Sequence, residues 1–392
     1  MGATRDAIRA YQGPPIFSWG FRPFFLLSAI WAALAVPIWL AVFFHGGRVG
    51  GSDGLQWHIH EMLFGYVGGV VAGFLLTAVP NWTGRLPVTG GALIGLVALW
   101  VAGRASGFLP SAVWPFAIVL DAAFLVVFAG VVWREVLAAN NRRNLPVAAM
   151  VTALALANLL FHARGLWPDA VAISERAAVA TLTLLIALIG GRIVPSFTHN
   201  WTMAKGLAAR PTPFNRFDKA ALAVTVVALL LWVADPWSPI AGAPLVIAGL
   251  LNLARLVRWR GWLAWRESMV WSLHAGYVWV PVGLLILGGA ALAPGLIPFS
   301  AGVHALTAGA MGVMTLAVMT RASRGHTGRP RASDIGTTTI YSLAFLAAAF
   351  RVVAPFVPGV GSTLLMVSAV LWVLAFLGFA LVYGPMLLRK SL

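Results

Sequence analysis

Residues 57–85 read WHIHEMLFGYVGGVVAGFLLTAVPNWTGR, and the reading of this stretch decides the fold. Two histidines and a glutamate, His58, His60 and Glu61, stand near its start. An apolar run follows and stops at a Pro-Asn-Trp-Thr-Gly-Arg end. His60 and Pro80 are 20 residues apart. A helix over that distance is roughly 30 Å long, the thickness of a bilayer's hydrocarbon core. The stretch therefore predicts a membrane-spanning helix with imidazoles and a carboxylate at one end. Ionisable groups at membrane depth are costly, so by default they point to function.

Outward from this stretch the chain repeats the pattern. Of its 392 residues, 60% are hydrophobic and 10% charged; a soluble domain carries about 25% charged residues. The sequence predicts an all-α integral membrane protein, with one polytopic domain over 1–392 and no separate soluble domain. Twelve spans are expected, at about 23–44, 58–80, 90–109, 111–134, 145–165, 174–196, 218–234, 239–257, 269–291, 298–320, 336–357 and 361–385. Cysteine is absent. Disulfides, thiolate ligands, iron–sulfur clusters and covalent c-type haem attachment are thereby excluded, and the metal ligands left are His, Asp, Glu and Met. The net charge of +16 sits in short connections between apolar runs. That reads as membrane topology rather than nucleic-acid binding. No removable signal peptide is evident at the N-terminus.

The connections alternate in charge. Arg5, Arg9 and Arg22 precede the first span, and Arg142, Arg143, Lys205, Arg210, Arg324, Arg329 and Arg389 fall on the same side. The opposite connections hold only Arg48, Arg104, Arg164 and Arg176. The positive-inside rule then puts both termini in the cytoplasm. It also sorts the histidines: His45, His58, His60, His162 and His304 fall at the outer ends of spans, and His199, His274 and His326 on the inner side. The inner ends of spans 2, 6 and 10 echo one another as TAVPNWTGR, GRIVPSFTHNW and VMTRASRGHTGR. Matching Thr-Gly-Arg at 83–85 with 327–329 sets His60 on His304 without a gap, and matching Pro80 with Pro195 sets His60 on Glu175. The echo suggests three four-helix units around a pseudo-threefold axis; against that stands coincidence among helices of similar length.

On an ideal helix His58 and His60 point about 200° apart, so they serve different partners unless the helix begins between them. Metal or haem ligation competes with a plainer reading, in which both are interfacial histidines bonded to Glu61 beside an anchoring Trp57. His304 is set among small residues, Ala301, Gly302, Ala305, Ala308 and Gly309. Such a face suits close helix packing or a flat macrocycle equally well. His162 ends span 5, with Asn158 one turn before it as an orienting partner. Asp121, counted from Ser111, falls near mid-membrane, where it would relay protons or pair with Arg104 or Arg351. Arg192 would meet a haem propionate or a substrate anion, or snorkel to the surface. His274 would ligate a second site or bond a backbone carbonyl. None of the nucleotide-binding, zincin or triad motifs of soluble enzymes is present.

WHIHEMLFG, GFLLTAVPNWTGR, NLLFH, GGRIVPSFT, LHAGY and HALTAGAMGVMTLAVMTRASRGHTGR resemble the NnrS family, from about Phe17 to the end of the chain. The resemblance implies a polytopic bacterial inner-membrane protein that binds haem and copper. It also implies a link to nitric oxide metabolism and to protection from nitrosative stress. Motif membership carries over to His58, His60, Glu61, His162, His274, His304 and His326. A looser likeness joins the layout to the haem-copper oxidases and nitric oxide reductases. Their low-spin haem is held by histidines of the second and tenth helices, but the further ligands of their sixth and seventh helices are missing here. That likeness is one of architecture alone.

The expected function is enzymatic. A haem b would be held by His304 and by either His58 or His60. The remaining histidine would join Glu61 and His162 in a polar site that takes copper. Nitric oxide would be reduced to nitrous oxide, with Glu61 or Asp121 passing protons and a quinol or a periplasmic cytochrome supplying electrons. The alternatives are a non-catalytic sensor or a haem or copper delivery protein, and a twelve-span transporter. The gathering of histidines at one face argues against the transporter, since transporters place their sites at the midplane.

Overall fold

The computed structural model describes residues 11–50, 52–110, 113–163, 166–167 and 169–392. Arg5, Arg9 and Arg164, used above for sidedness, lie outside the described residues, as does Ser111. The chain is a succession of apolar helices. They are α1 (Phe21–His45), α2 (Gly54–Thr83), α3 (Gly90–Ser106), α4 (Trp114–Ala138), α5 (Leu145–His162), α6 (Ala170–Ala204), α7 (Arg216–Ala234), α8 (Pro239–Arg258), α9 (Ser268–Leu292), α10 (Phe299–His326), α11 (Ile335–Phe356) and α12 (Gly361–Leu388). Among the described residues eleven are long and apolar enough to cross a membrane, and α3 is shorter. Each matches one expected span. The protein is an all-α multi-pass membrane protein. On α4 the side chains of Phe116, Val119, Val126 and Val127 are exposed, as a lipid-facing stripe must be when the bilayer is the solvent.

Short polar signals set the helix starts. Asp53 caps α2 by accepting from the Gln56 amide at 2.9 Å, and Asn215 and Asp218 form a capping box at α7. A two-residue antiparallel pair, Arg48–Val49 with Ser52–Asp53, closes the turn between α1 and α2.

Two helices change pitch just after a histidine. In α2 the segment Glu61–Val67 is π-helical, directly after His60. In α10 the segment Ala305–Val313 is π-helical, directly after His304. Wide π turns are uncommon and concentrate at functional sites. The pairing of His60 with His304 in the sequence echo thus has a structural counterpart within each helix.

The contacts gather two compact units rather than the three expected: 1–178 with 322–330 and 379–392, and 179–321 with 331–378. Residues of the long helices α6, α10 and α12 fall in both. In the first unit α1 packs on α2, α3 on α4 and α4 on α5. In the second, α8 packs on α7 and on α9, and α9 and α11 pack on α10.

Candidate metal centre

In the first unit, α2, α3, α4 and α5 each send a polar side chain to one buried point. The wide turn of α2 sets His60 and Glu61 side by side, with His60 Nδ1 3.0 Å from Glu61 Oε1. His60 Nε2 lies 3.0 Å from Asp121 Oδ2 of α4. His162 Nε2, at the end of α5, lies 2.9 Å from the same oxygen. Asn158 Nδ2, one turn earlier, donates to that oxygen at 3.0 Å. Arg104 of α3 closes the group: Nη1 donates to Glu61 Oε2 at 2.7 Å and Nη2 donates to Asp121 Oδ1. Trp31 Nε1 of α1 also donates to Glu61 Oε2, at 2.9 Å. Glu61, Asp121 and Arg104 are nearly inaccessible, at 1%, 3% and 4% exposure. Charges buried this deeply persist only when paired.

Gly65 makes the packing feasible. A β-carbon there would collide with Arg104 Nη1 and lie 2.8 Å from Glu61 Oε2 and 3.1 Å from Trp31 Nε1. One turn after Glu61, only glycine lets the guanidinium and the indole reach the carboxylate together.

One ligand atom from each of His60, Asp121 and His162 lies within 4.8 Å of the others, the group among the described residues that could hold a metal ion. Two imidazoles and a carboxylate suit first-row divalent ions. Glu61 behind His60 adds the arrangement typical of such sites: with Nε2 on an ion, Nδ1–H donates to a carboxylate, fixing the tautomer and the ring. The cluster lines a small cleft, together with Ser52, Trp57 and Gly107. A haem fits this cluster poorly. The His60 and His162 rings are 5.3 Å apart, centre to centre, and both Nε2 atoms face one oxygen that Asn158 also bonds. Donors converging on a point hold an ion. Axial ligands need a macrocycle plane between them, and Asp121 fills that space.

Of the predicted residues, His60, Glu61, Asp121 and His162 come together. His58 turns away to α1 and stacks on Trp39 with centroids 4.2 Å apart, as the two-residue spacing requires. His304 belongs to the second unit, where Nδ1–H donates to the Ser300 carbonyl at 2.7 Å. Arg192, half-buried on α6, is in the second unit too. His274 bonds a threonine hydroxyl rather than a backbone carbonyl: its Nε2 is 2.8 Å from Thr198 Oγ1. The Thr198 hydroxyl also lies 2.9 Å from the Val194 carbonyl oxygen.

Three expectations are corrected. Asp121 lies nearer a helix end than the count from Ser111 implied; α4 starts at Trp114, so Asp121 is two turns from that end. Trp57 is no interfacial anchor: it is 3% exposed and packs against Trp31 and Phe108. Arg104 is not a loop charge but the buried partner of both carboxylates. Its signal was present, as the one charge in an apolar 17-residue helix. Trp31 carried no comparable signal.

Among curated proteins none matches the chain. The model of the NnrS family, described as NnrS protein, matches residues 15–391. The match spans nearly the whole chain and includes every member of the buried cluster. The protein therefore belongs to the NnrS family, which links it to nitric-oxide-related function and to metal or haem binding in the broad sense.

Proposed function

We propose that this chain is a multi-pass protein of the bacterial inner membrane that holds one divalent metal ion, copper by preference, at His60, Asp121 and His162, and binds nitric oxide there. The observation that carries this reading is the convergence of three ligand atoms from α2, α4 and α5 within 4.8 Å, backed by Glu61 on the far side of the His60 ring. A bound ion of this kind supplies an open coordination position and one-electron chemistry.

The protein's own groups do the rest. Glu61 orients His60 and holds a proton at Nδ1. Arg104 offsets the two carboxylates, so a dication can enter without leaving a large unbalanced charge. Asn158 steadies Asp121. The apolar surroundings keep bulk water from the ion.

Reduction of nitric oxide is the enzymatic form of this reading. Two molecules, two electrons and two protons give nitrous oxide and water. Glu61, beside the cleft, passes protons, and a quinol or a periplasmic cytochrome is the electron donor. Haem b forms no part of the assignment at this cluster, whose donors suit an ion. Metal analysis of purified protein, followed by nitric oxide titration under reducing conditions, tests the proposal. Stoichiometric metal whose spectrum shifts with nitric oxide supports binding, and nitrous oxide formation per bound metal that is lost in Glu61→Gln, assayed at saturating metal, supports turnover. A metal spectrum indifferent to nitric oxide contradicts both forms.

A further inference from the structure

Trp57 is nearly inaccessible, at 3% exposure, and its indole Nε1 has no hydrogen-bond partner among the described residues. A buried donor left unmade is destabilising, and indole can only donate. Edge contacts with Trp31 and Phe108, at 6.3 and 5.8 Å between centroids, hold the ring in place. Trp57 lines the same cleft as His60, Asp121 and His162.

The space in front of the indole N–H can be located. A methyl group at Gly107 would lie 3.4 Å from Trp57 Nε1 and 3.5 Å from Glu61 Oε1. The Arg104 carbonyl oxygen is also 3.4 Å from that position, so the open side of Gly107 looks onto the indole donor across a space bounded by Glu61 and the Arg104 backbone. Gly107 has φ −60° and ψ −17°, a conformation open to any residue. Glycine at this position therefore keeps a volume empty rather than relieving the backbone.

We infer that Trp57 Nε1–H and Gly107 form a seat for the outer atom of a small ligand whose other end sits on the ion held by His60, Asp121 and His162. The inference rests on the proposed metal site. The ligand class follows from the surroundings. It is small, because the cleft leaves little room between these side chains. Its outer atom accepts a hydrogen bond. It is neutral or singly negative, because two carboxylates stand against Arg104 and a divalent ion, leaving one positive charge in excess.

The test uses full-length protein loaded with copper(II) and azide as the probe, a linear monoanion of three heavy atoms. Copper stoichiometry is measured first. Azide affinity is then read from the copper–azide charge-transfer absorbance and from the electron paramagnetic resonance spectrum. Trp57→Phe removes the donor and keeps a ring. Gly107→Ala fills the seat at no backbone cost. Trp39→Phe serves as control, because its indole stacks on His58 outside the cleft.

The expected result is unchanged copper in all three variants. Azide should bind about tenfold more weakly in Trp57→Phe, more weakly still in Gly107→Ala, and normally in Trp39→Phe. If copper stays bound and azide affinity in Trp57→Phe and Gly107→Ala stays within about twofold of wild type, the seat is wrong and the metal site stands. An equal loss in Trp39→Phe also overturns the seat. If wild-type protein takes up no copper, the metal site and the seat fail together. Should Trp57→Phe not fold, Gly107→Ala decides alone.

Discussion

Each unit buries an arginine paired with carboxylate, Arg104 in the first and Arg255 in the second, and these two networks differ in a way that separates support from chemistry. In the second unit Arg255 is fully buried. Its Nε donates to Asp218 Oδ1 at 3.0 Å, Nη1 donates to Tyr277 Oη at 2.7 Å and to Asn252 Oδ1 at 3.1 Å, and Nη2 donates to the Ala187 carbonyl at 3.2 Å. Tyr277 donates onward to Asn252 at 2.7 Å, and Asn252 donates to Thr225 at 2.8 Å. None of these side chains keeps a buried polar atom without a partner among the described residues. That network is closed: one carboxylate, buried guanidinium and neutral groups satisfy one another.

The first unit's network is open. Arg104 faces two carboxylates, and two imidazoles crowd one of them. Arg104 Nε, Asn158 Oδ1 and Trp57 Nε1 remain without partners among the described residues. A cleft adjoins it. Burial of charge in a membrane protein is therefore not enough to mark a site. What marks it is an excess of ligand atoms, unmet donors and acceptors, and room for something else.

The comparison breaks most directly at the two aspartates. Asp121→Ala leaves Arg104 with a single partner and removes the shared oxygen. Metal should be lost outright, and stability should fall by about 3–5 kcal/mol. Asp218→Ala should lower stability by a similar amount, about 3–5 kcal/mol, because Arg255 then stands buried without its charge. Metal bound per folded chain should not change. Thermal unfolding in detergent with metal analysis of the same samples reads both. Loss of metal in Asp218→Ala would erase the distinction.

The next largest effect is expected at His162, whose side chain is 10% exposed. His162→Ala should weaken copper binding by about 100-fold or more, since a direct ligand matters more than the partner groups that cost about 10–100-fold. It should leave the unfolding temperature nearly as it was. Glu61→Gln keeps an acceptor for His60 Nδ1 but loses the charge, and copper affinity should drop about 10–100-fold. Competition with a chelator measures both. Smallest are the peripheral bonds. Trp31→Phe and Tyr277→Phe each remove a hydrogen bond to a charged group and should lower stability by about 1–3 kcal/mol. Metal affinity should respond slightly to the first and not at all to the second.

The fold was legible because the bilayer imposes a length and a polarity on every element. All twelve spans show as apolar runs between charged connections, and even the short α3 keeps that signature. The site was legible in part. His60, Glu61 and His162 stand out as polar residues at the ends of apolar helices, and Asn158 falls on the His162 face by helical spacing. Asn158 bonds Asp121 rather than the imidazole, because the carboxylate of α4 reaches between them. That convergence of four helices is set by packing, which periodicity does not encode. Arg104 was read both as a topological charge and as a partner for Asp121; the pairing holds, and the room made by Gly65 draws the guanidinium to Glu61 as well. The wide turn after His60 was not visible either, since no residue pattern distinguishes EMLFGYV from an ordinary helical run.

The central claim is that two imidazoles and Asp121 hold one ion. Electron paramagnetic resonance of purified protein loaded with one equivalent of copper(II) tests it most directly. The account predicts a single copper species with nitrogen couplings from two imidazoles in wild type, from one in His162→Ala, and no bound signal in the His60→Ala, His162→Ala double variant. A wild-type spectrum of free copper, or a bound spectrum that survives the double variant unchanged, would contradict it.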